Sequence, residues 1–293
     1  MASKFSRNRD TGKLYDRDAM SDRYAVIGNP VGHSKSPLIH ASFALACAQD
    51  ISYSTIEPPV TGFANAVREF RASGAHGMNV TTPFKLEAFS LADRCSERAR
   101  LAGAANALKF ESGTTHAENF DGIGLVTDIQ RNLHVPIAGK RVLILGAGGA
   151  TRGVLLPMLR ERPAEVVIVN RSVCKALALA RQYAEHGAVR GSAYSGVANQ
   201  SFDLIINASS ASLTDELPPV VATVFAATSL AYDLAYGRGL TPFLRLAEHA
   251  AAARIADGIG MLVEQAAETF RWWRGMRPET RSVIDNLKDE GGR

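Results

Sequence analysis

Residues 140–160 read KRVLILGAGGATRGVLLPMLR. An apolar run, Arg141–Leu145, has the length and Val/Ile/Leu content of a strand buried on both faces. It meets Gly146, Ala147, Gly148, Gly149 and Ala150, and an amphipathic helix follows. A strand–glycine turn–helix junction of this kind supplies a tight turn, a backbone bare enough to approach a pyrophosphate, and a helix N-terminus aimed at phosphates. Thr151 stands at the last small position of the fingerprint. A glycine-rich turn can also be only a β–α corner, but the setting favours a dinucleotide.

The next junction refines the ligand. A site for NAD needs an acidic residue about 20 positions on, at the end of the second strand, to hold the ribose 2′-hydroxyl. Here the strand AEVVIVN (164–170) ends in Asn170, Arg171 and Ser172, with Lys175 in the next helical turn and no carboxylate. Cations at a helix N-terminus oppose its dipole, so their clustering points to a bound anion. A 2′-phosphate fits, which favours NADP, against the plain reading of Arg171 and Lys175 as solvated surface charges.

Outward from this segment the same alternation continues. SVCKALALARQYAEH (172–186) reads as a helix and FDLIINAS (202–209) as a strand. Upstream, RYAVIG (23–28), ISYSTIE (51–57) and HGMNVT (76–81) read as strands, and VTGFANAVREFRAS (60–73) as a helix. Ser36-Pro37 opens another helix, with Ser36 as its N-cap. Alternating strands and helices predict an α/β fold with mostly parallel sheets, while Glu111-Ser112-Gly113 predicts one antiparallel hairpin. The residues from Gly258 onward read as helical.

The chain has 293 residues, about two domains at roughly 150 residues each. Lys and Arg number 33 against 29 Asp and Glu, so the net charge is only +4 and no dense basic run exists to hold nucleic acid or a membrane surface. No apolar stretch approaches the roughly 18 residues of a membrane span. Three scattered cysteines, Cys47, Cys95 and Cys174, suggest a reducing compartment and a cytoplasmic protein. The seven His show no metal-ligand spacing, so no metal is expected. Residues 1–20 lack a signal-peptide core and read as a flexible extension.

Four polar clusters remain: Ser34-Lys35-Ser36, Asn79 to Lys85, Ala105-Asn106, and Glu118 to Gly122. Each has a local reading, because Ser, Asn and Asp dominate caps and turns. Together with NPVGHSKSP, NVTTPFK, AGAANAL, NFDG, GAGGATRG, NRS, YDLAY and DGIGMLVEQA, in that order over residues 24 to about 290, they resemble the shikimate dehydrogenase family.

The resemblance implies two domains: a Rossmann-like NADP-binding domain over 121–257, and an α/β substrate domain over 21–120 completed by C-terminal helices over 258–293, with the active site in the cleft. It implies reversible NADPH-dependent reduction of 3-dehydroshikimate to shikimate in aromatic amino acid biosynthesis. Lys85 and Asp121 would be the catalytic pair. Ser34, Ser36 and Tyr236 would hold the substrate carboxylate, and Asn79, Thr81, Asn106 and Gln265 the ring hydroxyls. Gly146 to Ala150 would carry the pyrophosphate, and Asn170, Arg171, Ser172 and Lys175 the 2′-phosphate end. Gly258 and Met261 would complete the cofactor site. The partner expected is a small-molecule substrate, for a monomer or homodimer.

Two positions depart from the family pattern. Phe120 replaces the usual Thr before Asp121, and Ala211 replaces a small glycine in INASSAS (206–212). A bulky Phe120 is expected to narrow the site or alter packing near Asp121. His33 reads as structural, and Trp272-Trp273 as core. The competing readings are an NAD-using quinate/shikimate dehydrogenase and a non-catalytic NADPH-sensing regulator, which would have no use for a proton-transfer pair.

Overall fold

The computed structural model describes residues 5–7, 14–16, 21–209, 211, 216–237 and 239–291. Within the expected extension over 1–20, β1 (Phe5–Arg7) pairs antiparallel with β2 (Leu14–Asp16); the remaining residues of that segment lie outside the described ones. The chain divides into two units. One comprises the residues up to Cys95, Ala105–Glu118 and Thr269–Glu279, and the other Ser96–Ala104, Asn119–Glu268 and the residues from Thr280.

The first unit is built on a six-stranded sheet of β3 (Asp22–Ile27), β4 (Ile51–Ile56), β5 (Gly77–Val80), β6 (Arg94–Cys95), β7 (Ala107–Glu111) and β8 (Thr114–Glu118), in the order 4-3-5-7-8-6. The helices α1 (Ser36–Ala46), α2 (Phe63–Ala72) and α3 (Lys85–Leu91) connect its parallel part. The hairpin between β7 and β8 falls where expected, with Ser112 and Gly113 both at positive φ, 48° and 79°, as a two-residue turn of matching twist requires. Since β7 runs antiparallel to β5, its start lies beside the end of β5. The Val80 N–H donates to the Asn106 carbonyl at 2.8 Å. The reversal thereby gathers the loops after β3 and β5 and the entry to β7 at one sheet end. Phe63, Met78, Phe84 and Leu108 are fully buried in the core behind it.

One local expectation is corrected. The residue preceding α1 is Lys35, and Ser36 is already helical. The hydroxyl facing the helix start belongs to Ser34, which accepts from the Ser36 N–H at 3.3 Å. Pro37 fixes the first turn as expected.

The second unit carries α4 (Glu97–Ala102) and α5 (Asp121–Thr127), which runs on through a π turn at Asp128–Asn132. Its sheet of β9 (Arg141–Leu145), β10 (Glu165–Val169), β11 (Val189–Ser192), β12 (Phe202–Asn207), β13 (Phe225–Asp233) and β14 (Arg254–Ala256) has the order 11-10-9-12-13-14 and is wholly parallel. The remaining helices are α6 (Gly149–Arg160), α7 (Val173–Gln182), α8 (Pro242–His249), α9 (Ile259–Arg274) and α10 (Arg281–Gly291). β9 is buried on both faces: Val142 and Ile144 join one apolar cluster, Leu143 and Leu145 the other. That is why its sequence is an unbroken apolar run without alternation.

The unit boundaries differ from those expected at residues 120 and 258. α4 packs with the second unit, where Leu101 touches its core and Glu97 pairs with Arg160 at 2.6 Å. The first turns of α9 also belong there, because Gly124 of α5 leaves room for them: a Cβ at Gly124 would stand 2.7 Å from the Met261 carbonyl oxygen.

Candidate active site

The strand order of the second sheet reverses between β9 and β12, so the loops leaving their C-terminal ends diverge and open a crevice. A cavity of about 350 Å³ lies there, lined by Gly146 to Ala150, Asn170 and Arg171. Gly146 has φ +105°, and a Cβ on it would meet the Ala208 backbone at 3.1 Å, so both conformation and space demand glycine. At Gly148 and Gly149 an added Cβ would meet nothing within 4 Å. The backbone at the start of α6 is thus open on its outer side, as a pyrophosphate cradle must be. Thr151 is completely buried, and its hydroxyl donates to the Gly146 carbonyl at 2.8 Å. The hydroxyl ties off the turn, which accounts for threonine at that position.

The Asn170 amide donates to the Ser172 carbonyl at 3.0 Å and shapes the second loop. Arg171 is exposed on that loop and reaches the cavity wall. Ser172 and Lys175, expected beside it, are not on the wall, nor are Gly258 and Met261. Gly258 has a packing reason to be glycine, since a Cβ would run into the Leu234 carbonyl. The cavity also has walls that residue patterns did not single out, among them Tyr194, Ser209 and Glu216. Tyr194 opens a short 3-10 turn after β11, and only the fold brings it back to the glycine loop. Ala211 lies on the same wall, and its N–H faces the Ser209 hydroxyl at 3.4 Å.

In the first unit, Asn79 is buried at the end of β5. Its Oδ1 accepts from the Tyr53 hydroxyl at 2.7 Å, and its Nδ2 faces the Asn106 carbonyl and the Thr269 hydroxyl, each at 3.4 Å. Asn106 is buried beside it, with its N–H on the Glu118 carbonyl at 3.0 Å. Thr81 presses on Gly28 closely enough that a Cβ on the glycine would collide with its methyl group, and the Asn29 N–H donates to the Thr82 carbonyl at 3.0 Å. Ser34 is half-buried and Ser36 buried at the start of α1. The half-buried Lys85 is the first residue of α3, and its carbonyl accepts from the Ala105 N–H at 2.9 Å, one residue before Asn106. Phe84, stacked on Phe63 at 5.0 Å, anchors that helix start. Ser34, Ser36, Asn79, Thr81, Lys85 and Asn106 thus all belong to the loops of one sheet end.

Patterns also passed over His40. It is fully buried and stacked on Tyr53, with ring centroids 4.3 Å apart. Burial pushes its pKa down to about 3, so the ring is neutral at ordinary pH. His33, by contrast, is exposed. Trp273 is core, donating its indole N–H to the Leu108 carbonyl at 3.0 Å and stacking on Tyr24.

The second unit holds the other candidate residues. Asp121 is buried and starts α5, with its N–H on Asn119 Oδ1 at 3.1 Å. Asn119 is itself anchored through Nδ2 to the Ala104 carbonyl at 3.1 Å. Phe120 is 5 % exposed, and the Arg98 guanidinium lies over its ring, 5.6 Å from the centroid. Within this unit the departure from threonine therefore adds packing under Arg98. Gln265 is buried on α9 and donates to the Leu262 carbonyl at 2.9 Å, whereas Tyr236, after β13, is 38 % exposed. Among the described residues, no three His, Cys, Asp or Glu side chains gather as a metal site would need, and no helix is long and apolar enough to cross a membrane.

A wholly parallel sheet in this order, with a bare glycine turn at the switch point and an arginine on the second loop, defines a dinucleotide-binding α/β protein. Comparison with known proteins narrows the class. Residues 26–108 match the shikimate dehydrogenase substrate binding domain, 128–257 the shikimate/quinate 5-dehydrogenase model, and 258–287 the shikimate 5′-dehydrogenase C-terminal domain. The chain belongs to the shikimate dehydrogenase family. It is 53% identical over 270 residues to the shikimate dehydrogenase (NADP(+)) of Chromobacterium violaceum, covering 92% of this chain and 99% of that one. It also resembles the crystal structure of an Ael1 enzyme from Pseudomonas putida, at 60% identity and TM-score 0.88 over 91% of this chain and 98% of that one. A shikimate 5-dehydrogenase from Thermus thermophilus in complex with NADP(H) and shikimate aligns with TM-score 0.80 at 30% identity, over 92% and 100% of the two chains.

Proposed function

We propose that this protein catalyses the reversible NADPH-dependent reduction of 3-dehydroshikimate to shikimate, as an enzyme of the cytoplasm. The observation that carries the cofactor choice is the second loop at the cavity: Arg171 stands on its wall, and no carboxylate occupies the 170–172 segment to hold an unphosphorylated ribose. The open backbone at Gly148 and Gly149 fits the pyrophosphate of such a cofactor. When bound, the nicotinamide supplies a hydride to the substrate ketone.

The chain's own residues supply binding and proton handling. As the ketone carbon gains the hydride, negative charge develops on its oxygen, and the pair of Lys85 and Asp121 handles the proton that this oxygen takes up. Lys85 supports this role by its location, for it opens α3 at the sheet end that also carries Asn79 and Asn106. Asn79, Thr81, Asn106 and Gln265 hydrogen-bond the ring hydroxyls. A ketone lacking those hydroxyls forgoes these hydrogen bonds, which disfavours it. Ser34, Ser36 and Tyr236 take the carboxylate.

Steady-state rates with shikimate and quinate, each paired with NADP and NAD, test the reading. Turnover is expected only with shikimate and NADP at appreciable efficiency; preference for quinate or NAD defeats it, and tight NADPH binding without turnover points to a regulator. Lys85→Ala is expected to lower kcat by about 100-fold or more with NADPH affinity nearly intact. A wild-type rate removes Lys85 from the chemistry.

A further inference from the structure

The first turn of α9 carries Met261 and leads to Gln265, and a buried polar chain holds that turn against α5. Tyr232, completely buried on β13, donates its hydroxyl proton to Asp128 Oδ2 at 2.7 Å and accepts from the Met261 N–H at 3.2 Å. Asp128 directly follows α5, is 2 % exposed, and takes a second hydrogen bond at Oδ1 from Asn132 Nδ2 at 2.8 Å. The Asn132 amide also reaches Glu264 Oε1 of α9 at 2.9 Å, and Glu264 in turn accepts from the Thr280 hydroxyl at 2.8 Å. Two glycines bring these helices together. A Cβ on Gly260 would collide with the Asp128 carboxylate, and one on Gly124 would stand 2.8 Å from the Gln265 backbone nitrogen.

The chemistry of the pair is specific. The first N–H groups of a helix have no partner within it, and the positive end of the helix dipole favours a nearby anion. Tyr232 satisfies one such N–H with its oxygen while its proton binds the buried carboxylate. Met261 N–H, phenol and carboxylate thus form one chain of donors and acceptors, whose links strengthen one another in a dry interior. The same short helix that Asp128 directly follows starts at Asp121, so the carboxylate proposed to handle protons and the residues Met261 and Gln265 share one connection.

We propose that Asp128 and Tyr232 are positioning residues, which hold the first turns of α9 in register with α5 so that Met261, Gln265 and Asp121 stand correctly for the reaction. This rests on the activity proposed above. It also answers why Gly260 of the DGIGM segment is a glycine: the carboxylate of Asp128 occupies the space a side chain would need.

Tyr232→Phe in the full-length protein tests it. The variant keeps the ring but removes both the donor to Asp128 and the acceptor for Met261. The expected result is a fall of about tenfold in kcat/KM for 3-dehydroshikimate, with unchanged affinity for adenosine 2′,5′-bisphosphate, which engages only the Arg171 end of the cavity. Wild-type kcat/KM overturns the proposal, and so does an equal loss of affinity for the adenosine probe, which would mean that the whole unit has loosened. If Tyr232→Phe fails to fold, Asp128→Asn serves instead. Its amide oxygen still accepts from Tyr232 but its amide nitrogen confronts Asn132 Nδ2, so a loss of about two- to fivefold in kcat/KM is expected under the same probe control, and no loss overturns the proposal. Should the wild-type protein reduce no 3-dehydroshikimate, the activity reading fails by itself. The positioning role is then read from binding, where Tyr232→Phe must weaken NADPH and leave the adenosine probe unaffected; equal affinities overturn it.

Discussion

Arg171 shows how much one side chain can decide. Arg171 lines the cavity from a loop whose 170–172 segment has no acidic residue, so a 2′-phosphate there finds a planar donor and a 2′-hydroxyl finds no carboxylate on that segment. A charge-assisted hydrogen bond of this kind contributes roughly 1.5–3 kcal/mol, about 10- to 100-fold in affinity. Arg171→Ala should therefore raise the NADPH dissociation constant by about that factor and leave NADH nearly unchanged, as fluorescence titration would read. Parallel losses for both nucleotides would place the 2′-phosphate elsewhere. Thr151 teaches a smaller lesson: a fingerprint position usually given to a small residue accepts a hydroxyl because the turn carbonyl of Gly146 is there to receive it.

At the scale of elements, α5 meets α6 at a residue without a side chain. Pro157 lies inside α6 and has no N–H for the Gly153 carbonyl, and Gly122 of α5 packs into that spot. A Cβ on Gly122 would stand 2.6 Å from Pro157 Cγ and 2.7 Å from the Gly153 oxygen, which is backbone and cannot swing aside. Gly122→Ala should cost about 1–3 kcal/mol in urea unfolding, and since Asp121 is its neighbour, turnover should fall with it. An alanine variant of wild-type stability and rate would mean that the two helices separate freely. In the first unit the comparable device is the reversal of β7, which puts Asn106 beside the end of β5.

For the molecule as a whole, acid stability follows from His40. Its pKa lies near 3 in the fold because burial disfavours the charged ring, against an ordinary value of 6.5. The unfolded chain therefore binds this proton between those values while the folded chain does not. The stabilisation is complete above about pH 6.5 and is lost as pH falls toward 3. Between pH 7 and pH 5 the contribution to stability drops by up to about 2 kcal/mol. Urea unfolding at the two pH values should show a smaller acid loss for His40→Leu than for wild type, and equal losses would remove His40 from the acid response. Its site is a sandwich of Tyr53, Phe43, Phe270 and Trp273, a cluster assembled from residues spread over more than two hundred positions.

Local chemistry was enough to read the glycine turn at Gly146, the buried strand before it, the Ser112-Gly113 hairpin and the missing acid after β10, because each depends on neighbours within one turn or strand. The motifs from Ser34 to Gln265 were legible as a family pattern for the same reason, as short runs of fixed order. Tertiary structure alone decided that Ser34 rather than Ser36 faces the start of α1, that α4 packs with the second unit, that Tyr194 and Glu216 border the cavity at the Gly146 turn, and that Asp128 forbids a side chain at Gly260. Those outcomes depend on backbone approach and burial between segments far apart in the chain, and such distances are settled only when the sheets close and the helices pack.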